Sequence, residues 1–226
     1  MKCHYSYVLF LIGFFVTPEV LAQSQQDYIE VDAEMRNKAI LLTQEALQLL
    51  EEEKNNLAVL KLEAAIEADS TFYPAFVGIY NAGRSLAGDK SYLINYLERA
   101  KALFRQNDEL CYYLGNIYQN EMDFENAIRE YGEAIRYSKI NGEDYPIVYA
   151  YYFNRANCFL KTQQYRKAIT DYDYSLDLSP NNADIYTNRG YCHLKVQEKE
   201  KACFDWSRGL ELGNPQNKKY LETHCR

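Results

Sequence analysis

Apolar residues recur along this chain at helical spacing. Between residues 149 and 180 they fall at Tyr152, Ala156 and Phe159, then at Ala168, Tyr172 and Leu176 with Ser175 beside them, and polar residues fill the gaps. Steps of three and four place each set on one face of a helix. The pattern predicts two amphipathic helices joined by a short polar turn over Tyr149–Pro180, and a second such pair over Ala183–Gly213. Pro180, after Leu178-Ser179, stops one helix, and Asn181-Asn182 leads into the next. Small residues, Ala156 with Ala168 and Gly190 with Ala202, permit close approach within each pair.

The two pairs are copies. Asn154-Arg155-Ala156 returns as Asn188-Arg189-Gly190, Ala168 as Ala202 and Tyr172 as Trp206, each 34 residues on. A fixed period of this length marks a stacked helical repeat, in which every unit buries its apolar face only against its neighbours. A third copy runs over Asp108–Ser138 through Leu114-Gly115, Tyr118, Ala127, Tyr131 and Ala134, followed by extra sequence, Ile140–Pro146, read as a longer loop or a helical extension. Upstream, Ala46, Leu49, Ala58, Leu62 and Ala65 fit a unit with an over-long first helix from near Asp32. Tyr73–Phe104 fits only loosely, because Tyr80 stands where a small residue is usual. The division expected is a leader at 1–22, a superhelix at 32–216 in five units (39–72, 73–107, 108–148, 149–182 and 183–216), and a capping helix and tail at 215–226 after Asn214-Pro215.

These residues carry a family resemblance. Asn-Arg-Ala/Gly in the first helix, Lys-Ala opening the second, an aromatic four residues on and Leu-Asp-Leu-Ser-Pro at the close resemble tandem tetratricopeptide repeats. The resemblance implies an all-α fold, an α-solenoid of about five helix-turn-helix repeats with a C-terminal cap. Asp205-Trp206 and the ending Leu210-Glu211-Leu212-Gly213 also resemble the closing repeats of exported tetratricopeptide proteins of the Bacteroides group. In the family the first helices line a concave groove that receives ligand. Carried onto this chain, the groove comprises Tyr112, Asn116, Phe153, Asn157, Lys161, Tyr191 and Lys195, with the three aromatics as anchors and the two asparagines holding a partner's backbone. The family's carboxylate clamp uses paired Lys and Arg, whereas Phe153, Asp184 and Asn188 occupy those points here, which disfavours acidic chaperone-type tails.

Charge and the first residues narrow the setting. The chain carries a net charge of −7, which argues against nucleic acid or an anionic membrane surface as partner. Lys2, the apolar run Val8–Val16 and Val20-Leu21-Ala22 before Gln23 read as an export signal. The apolar run is short for the roughly 30 Å of a bilayer core. An exported protein, periplasmic or secreted and without stable membrane insertion after cleavage, is the expectation.

Export makes disulfides feasible. Loss of Cys3 with the leader leaves Cys111, Cys158, Cys192, Cys203 and Cys225, an odd number. Cys203 and Cys225 are the better pair, one on the last second helix and the other at the end of the helix that covers it; Cys192–Cys203 is the alternative. Cys158 and Cys192 sit at equivalent points of successive helices and read as buried thiols. Arg155 and Arg189 face Asp171, Asp173 and Asp205 at matching heights and read as structural ion pairs before anion sites. His193 and His224 each adjoin a cysteine, yet the spacing matches no zinc pattern, so no metal is expected. No phosphate loop, nucleophile elbow or His-Glu-x-x-His is present, and no catalytic residue or cofactor is proposed.

The function these features favour is a non-enzymatic scaffold or adaptor of the cell envelope that binds a protein or extended peptide in its groove. A carbohydrate-binding accessory protein, drawing on the 22 tyrosines and the groove amides, is the alternative from another class. A regulatory subunit of an envelope enzyme or transport complex is a third.

Overall fold

The computed structural model describes residues 32–84, 86–142 and 146–225, and among them are eleven helices and no strand. They are α1 (Ala33–Glu51), α2 (Asn55–Ala68), α3 (Tyr73–Gly83), α4 (Ser91–Leu103), α5 (Asp108–Asn120), α6 (Phe124–Asn141), α7 (Val148–Lys161), α8 (Tyr165–Leu178), α9 (Ala183–Lys195), α10 (Lys199–Glu211) and α11 (Gln216–His224). Odd and even helices pair as five antiparallel hairpins that stack in chain order, and α11 packs on α10 at the end. This is the all-α repeat solenoid expected. Ile140 and Asn141 prolong α6, so the extra sequence starts as a helical extension and turns at Gly142, where φ is +103°. The expected leader at 1–22 lies outside the described residues. No helix among the described residues is long and apolar enough to cross a membrane.

Side chains that bond the backbone start several helices: Asp32, Asn107, Asp123 and Asn182 each accept a first-turn N–H. The turns inside the hairpins share one ending. Glu53, Met122, Gln163 and Gln197 adopt left-handed backbone with φ between +59° and +66°. The next N–H then reaches back five residues: Lys54 to Leu49, Asp123 to Tyr118, Gln164 to Phe159 and Glu198 to His193, all at 2.8–2.9 Å. That bond satisfies a carbonyl the helix end would leave unpaired. The α3/α4 turn departs from this scheme. There the Lys90 ammonium, nearly buried, donates to the carbonyls of Gly83 and Leu86 instead.

Within the best-matched hairpins a small residue on the first helix receives an aromatic from the second, sixteen residues on: Gly115 under Tyr131, Ala156 with Tyr172, Gly190 under Trp206. A Cβ on Gly115 would lie 2.5 Å from the Tyr131 ring, and one on Gly190 2.8 Å from Trp206 Nε1. Ion pairs repeat at the same interval. Arg155 grips Asp171 through two bonds of 2.7 and 2.8 Å, and Arg189 grips Asp205 at 2.9 and 2.7 Å and reaches Asp173 of the preceding hairpin at 2.6 Å. Tyr80 fills the place of the small residue in the second hairpin, so α4 cannot nest as closely on α3. It is the helix least engaged with its neighbours on either side among the hairpins.

The stack ends in a tethered cap. Trp206 is fully buried, donates to the Thr187 carbonyl at 3.2 Å, and is covered by Tyr220 stacked at 5.0 Å and by His224 at 5.6 Å. A disulfide joins Cys203 to Cys225. Cys111, Cys158 and Cys192 are buried thiols, and burial pushes each up to about 12.

Candidate functional site

The odd-numbered helices lie side by side and form one face of the stack, which holds two separate cavities. The N-terminal one, of about 500 Å³, is framed by Tyr80 and Asn81 of α3 and Arg84 just past its end, by Tyr112, Asn116 and Gln119 of α5, and by Asn154 of α7. No carboxylate lines it. The C-terminal one, of about 430 Å³, is bounded by Leu160 and Lys161 of α7, Asn188 and Tyr191 of α9, and Gln216 and Tyr220 of α11. The ammonium of Lys195 lies 5.1 Å from the Tyr191 ring, which fixes the ring's outer face and brings a second positive charge near this cavity.

A chain of amides and hydroxyls ties the face together across hairpin boundaries. The Tyr131 hydroxyl lies 2.8 Å from the oxygens of both Asn116 and Gln119, which share its single proton, while Asn154 donates to the same Asn116 oxygen at 3.1 Å. Asn116 in turn donates to the Tyr80 hydroxyl at 3.0 Å. One repeat on, Tyr172 donates to Asn157 at 2.6 Å and Asn188 donates to it at 3.0 Å. Burial raises the pKa of both the Tyr131 and Tyr172 hydroxyls, which keeps them protonated as donors. At the N-terminal end Glu109 accepts the hydroxyls of Tyr73 and Tyr113, and Tyr113 stacks on Tyr80 with ring centres 4.0 Å apart.

This network revises several expected roles. Tyr112, Asn116, Lys161 and Tyr191 line the two cavities, whereas Lys195 lines neither and lies over the Tyr191 ring. Phe153 and Asn157 line neither: Phe153 rests on the Tyr172 ring at 6.1 Å, and Asn157 spends its oxygen on Tyr172 and Asn188. Their residue types are explained by packing between helices. Asn116 likewise uses its oxygen twice internally, and Tyr112 is wedged among Tyr113, Tyr131 and Tyr151, so it anchors the core as well as the cavity. Sequence reasoning missed Tyr80, Asn81 and Arg84, although their spacing puts them on one face of a first helix. It also missed Gln216 and Tyr220, which reach the face only because the cap folds back.

The titratable side chains singled out in the sequence are likewise engaged. His193 Nδ1 lies 2.8 Å from Glu198, and His224 covers Trp206. Beside the C-terminal hairpins, Asp173 of α8, Arg189 of α9, and Lys201 and the exposed ring of Phe204 on α10 border another hollow of about 430 Å³.

The architecture defines an α-solenoid built from helical hairpins. Two family models match parts of the chain: one described as "Tetratricopeptide repeat" matches residues 108–141, and one described as "TPR repeat" matches residues 156–197. No curated protein matches the sequence significantly. Among solved structures, MamA resembles this chain with a TM-score of 0.68 and 15% identity over 77% of this chain and 91% of its own. PilF of Pseudomonas aeruginosa does so with a TM-score of 0.66 and 17% identity over 80% and 79%. YrrB, described as a TPR protein with an unusual peptide-binding site, does so with a TM-score of 0.63 and 19% identity over 81% and 91%. Identities this low establish a shared fold.

Proposed function

We propose that this chain is an exported, non-enzymatic scaffold of the cell envelope that docks an extended segment of a partner protein along the face of its odd-numbered helices. The observation that carries the reading is the pair of cavities on that face, with side chains in or beside them that folding leaves available. Arg84, Lys161 and Lys195 have no carboxylate partner within ion-pair distance among the described residues, in contrast to Arg155 and Arg189. Carboxamides such as Asn81 and Asn120, both exposed at the N-terminal cavity, offer donors and acceptors together, as a peptide backbone requires, and Tyr191 and Tyr220 offer contact area at small entropic cost. The acidic balance of −7 favours a protein partner over nucleic acid. Export rests on the leader-like residues 1–22 and is compatible with a disulfide, which persists in oxidising compartments.

A photo-crosslinking amino acid placed singly at Asn81, at Tyr191 and at the exposed Phe204 of α10 tests the docking face. Adducts with a polypeptide from the first two positions and none from the third are expected; adducts from Phe204 alone would move the interface to the even-numbered helices. The amide-rich N-terminal cavity also fits a saccharide. Binding on a glycan array with no polypeptide adducts would replace the peptide reading with that one.

A further inference from the structure

The C-terminal cavity owes one wall to the cap, and the cap is weakly self-supporting. The helix α11 has nine residues, and its N-cap residue Pro215 contributes no side-chain hydrogen bond. A helix this short does not persist without tertiary support. Its one buried side chain is Asn217, whose amide donates to Thr187 at 2.8 Å but whose oxygen is enclosed without a hydrogen-bond partner. An unpaired oxygen removed from water counts against the docked state. What remains is the covering of Trp206 by Tyr220 and His224, and the covalent bond between Cys203 and Cys225.

We propose that this disulfide is a redox latch on the C-terminal cavity: when a dithiol reductant opens it, the segment Tyr220–Cys225 swings off Trp206 and the cavity loses its Tyr220 wall. Asn214, bonded to Asp184 at 2.9 Å, and Asn217, bonded to Thr187 at 2.8 Å, keep the root of the cap in place, so the break falls beyond Asn217, in the last turns of a helix too short to hold them alone. A thiolate of the reductant attacks one cysteine sulfur, forming a mixed disulfide and releasing the other cysteine, which takes up a proton. The second thiol of the reductant then displaces the first cysteine, so two electrons and two protons pass to the protein and the reductant leaves as its own disulfide. Both cysteines of the bond are partly exposed, whereas Cys111, Cys158 and Cys192 are buried and stay out of the exchange. The consequence for ligand binding rests on the docking face proposed above; the swing of the cap does not.

The chain's single tryptophan, Trp206, reports the motion directly. Emission and iodide quenching are compared for the oxidised protein, the same protein in dithiothreitol, and Cys225→Ser without reductant, with circular dichroism on each sample. A red shift and a severalfold rise in quenching, in both the reduced protein and the variant, with helicity kept and the change reversed by reoxidation, are expected. Unchanged emission and quenching would overturn the latch, since the cap would then stay docked without the bond. Loss of helicity throughout would overturn it too, making the bond a staple of the whole stack. No partner enters the measurement, so a failed latch and a failed docking face give separate results.

Discussion

Gly190 shows how one atom can set the spacing of two helices. Trp206 lies against its bare Cα, with Nε1 2.8 Å from where a Cβ would stand and the Ala202 carbonyl at 3.2 Å. The indole is buried and bonded to Thr187, so it cannot swing aside. Gly190→Ala should therefore lower stability by about 1–3 kcal/mol, the range for overpacking a filled core, as read by urea denaturation. Asn157 makes the complementary case. Removing its oxygen strands the Tyr172 hydroxyl and the Asn188 amide together, so Asn157→Ala should cost about 1–3 kcal/mol in the same measurement. A variant of wild-type stability that merely bound its partner less well would return Asn157 to a role in the groove.

At the scale of the elements, the recurring left-handed turns invite a direct test. Gln163 holds φ at +60°, a conformation that costs a residue with a Cβ about 1–2 kcal/mol and glycine almost nothing. Gln163→Gly should therefore stabilise the protein by up to about 1 kcal/mol, some of the gain being lost to the greater freedom of the unfolded chain. Equal or lower stability would mean that the Gln163 side chain contributes more than its backbone strain costs. The loop between α2 and α3 offers a test of charge. Burial opposes ionisation of Asp69, but the hydroxyl and N–H of Thr71, and then Arg36, outweigh it and hold the carboxyl below its ordinary value. A depressed carboxyl adds stability that is complete above its unfolded value of about 4 and is lost as pH falls through the folded value. Melting temperature should drop below about pH 4, and Asp69→Asn should melt lower than wild type at pH 7 and show a flatter acid limb.

The hairpins were legible in the sequence wherever the pattern was redundant. Tyr172 and Trp206, Arg155 and Arg189, and Asn154 and Asn188 each appear twice in register, and the ion pairs and small-residue contacts follow from that register. The turns were less legible, because glycine is the usual mark of left-handed backbone and Glu53, Met122, Gln163 and Gln197 are not glycine. The site was legible only in outline. Helical spacing predicts which face Phe153 and Asn157 occupy, but cannot tell a side chain spent on the next helix from one left open to a ligand. Nor can it foresee that Tyr220 returns to the face.

For the whole molecule, the leader reading has a simple check. If residues 1–22 are removed on export, intact-mass analysis of the protein from a cell-envelope fraction should give a chain beginning at Gln23; full-length protein held in the membrane would instead make the apolar run an anchor. The loosely held α4 bears on how the stack behaves once assembled. Its neighbours are joined past it: Tyr73 bonds to Glu109, Tyr80 stacks on Tyr113, and Asn116 donates to Tyr80, all between α3 and α5. The connection between the second and third hairpins is thus fastened by ring and amide contacts on the edge of the odd-numbered helices and by an ion pair, Lys101 of α4 to the buried Glu130 of α6 at 2.6 Å, on the other. The N-terminal cavity lies on the first of these edges, so the contacts that join the two hairpins are also the ones that hold its walls together.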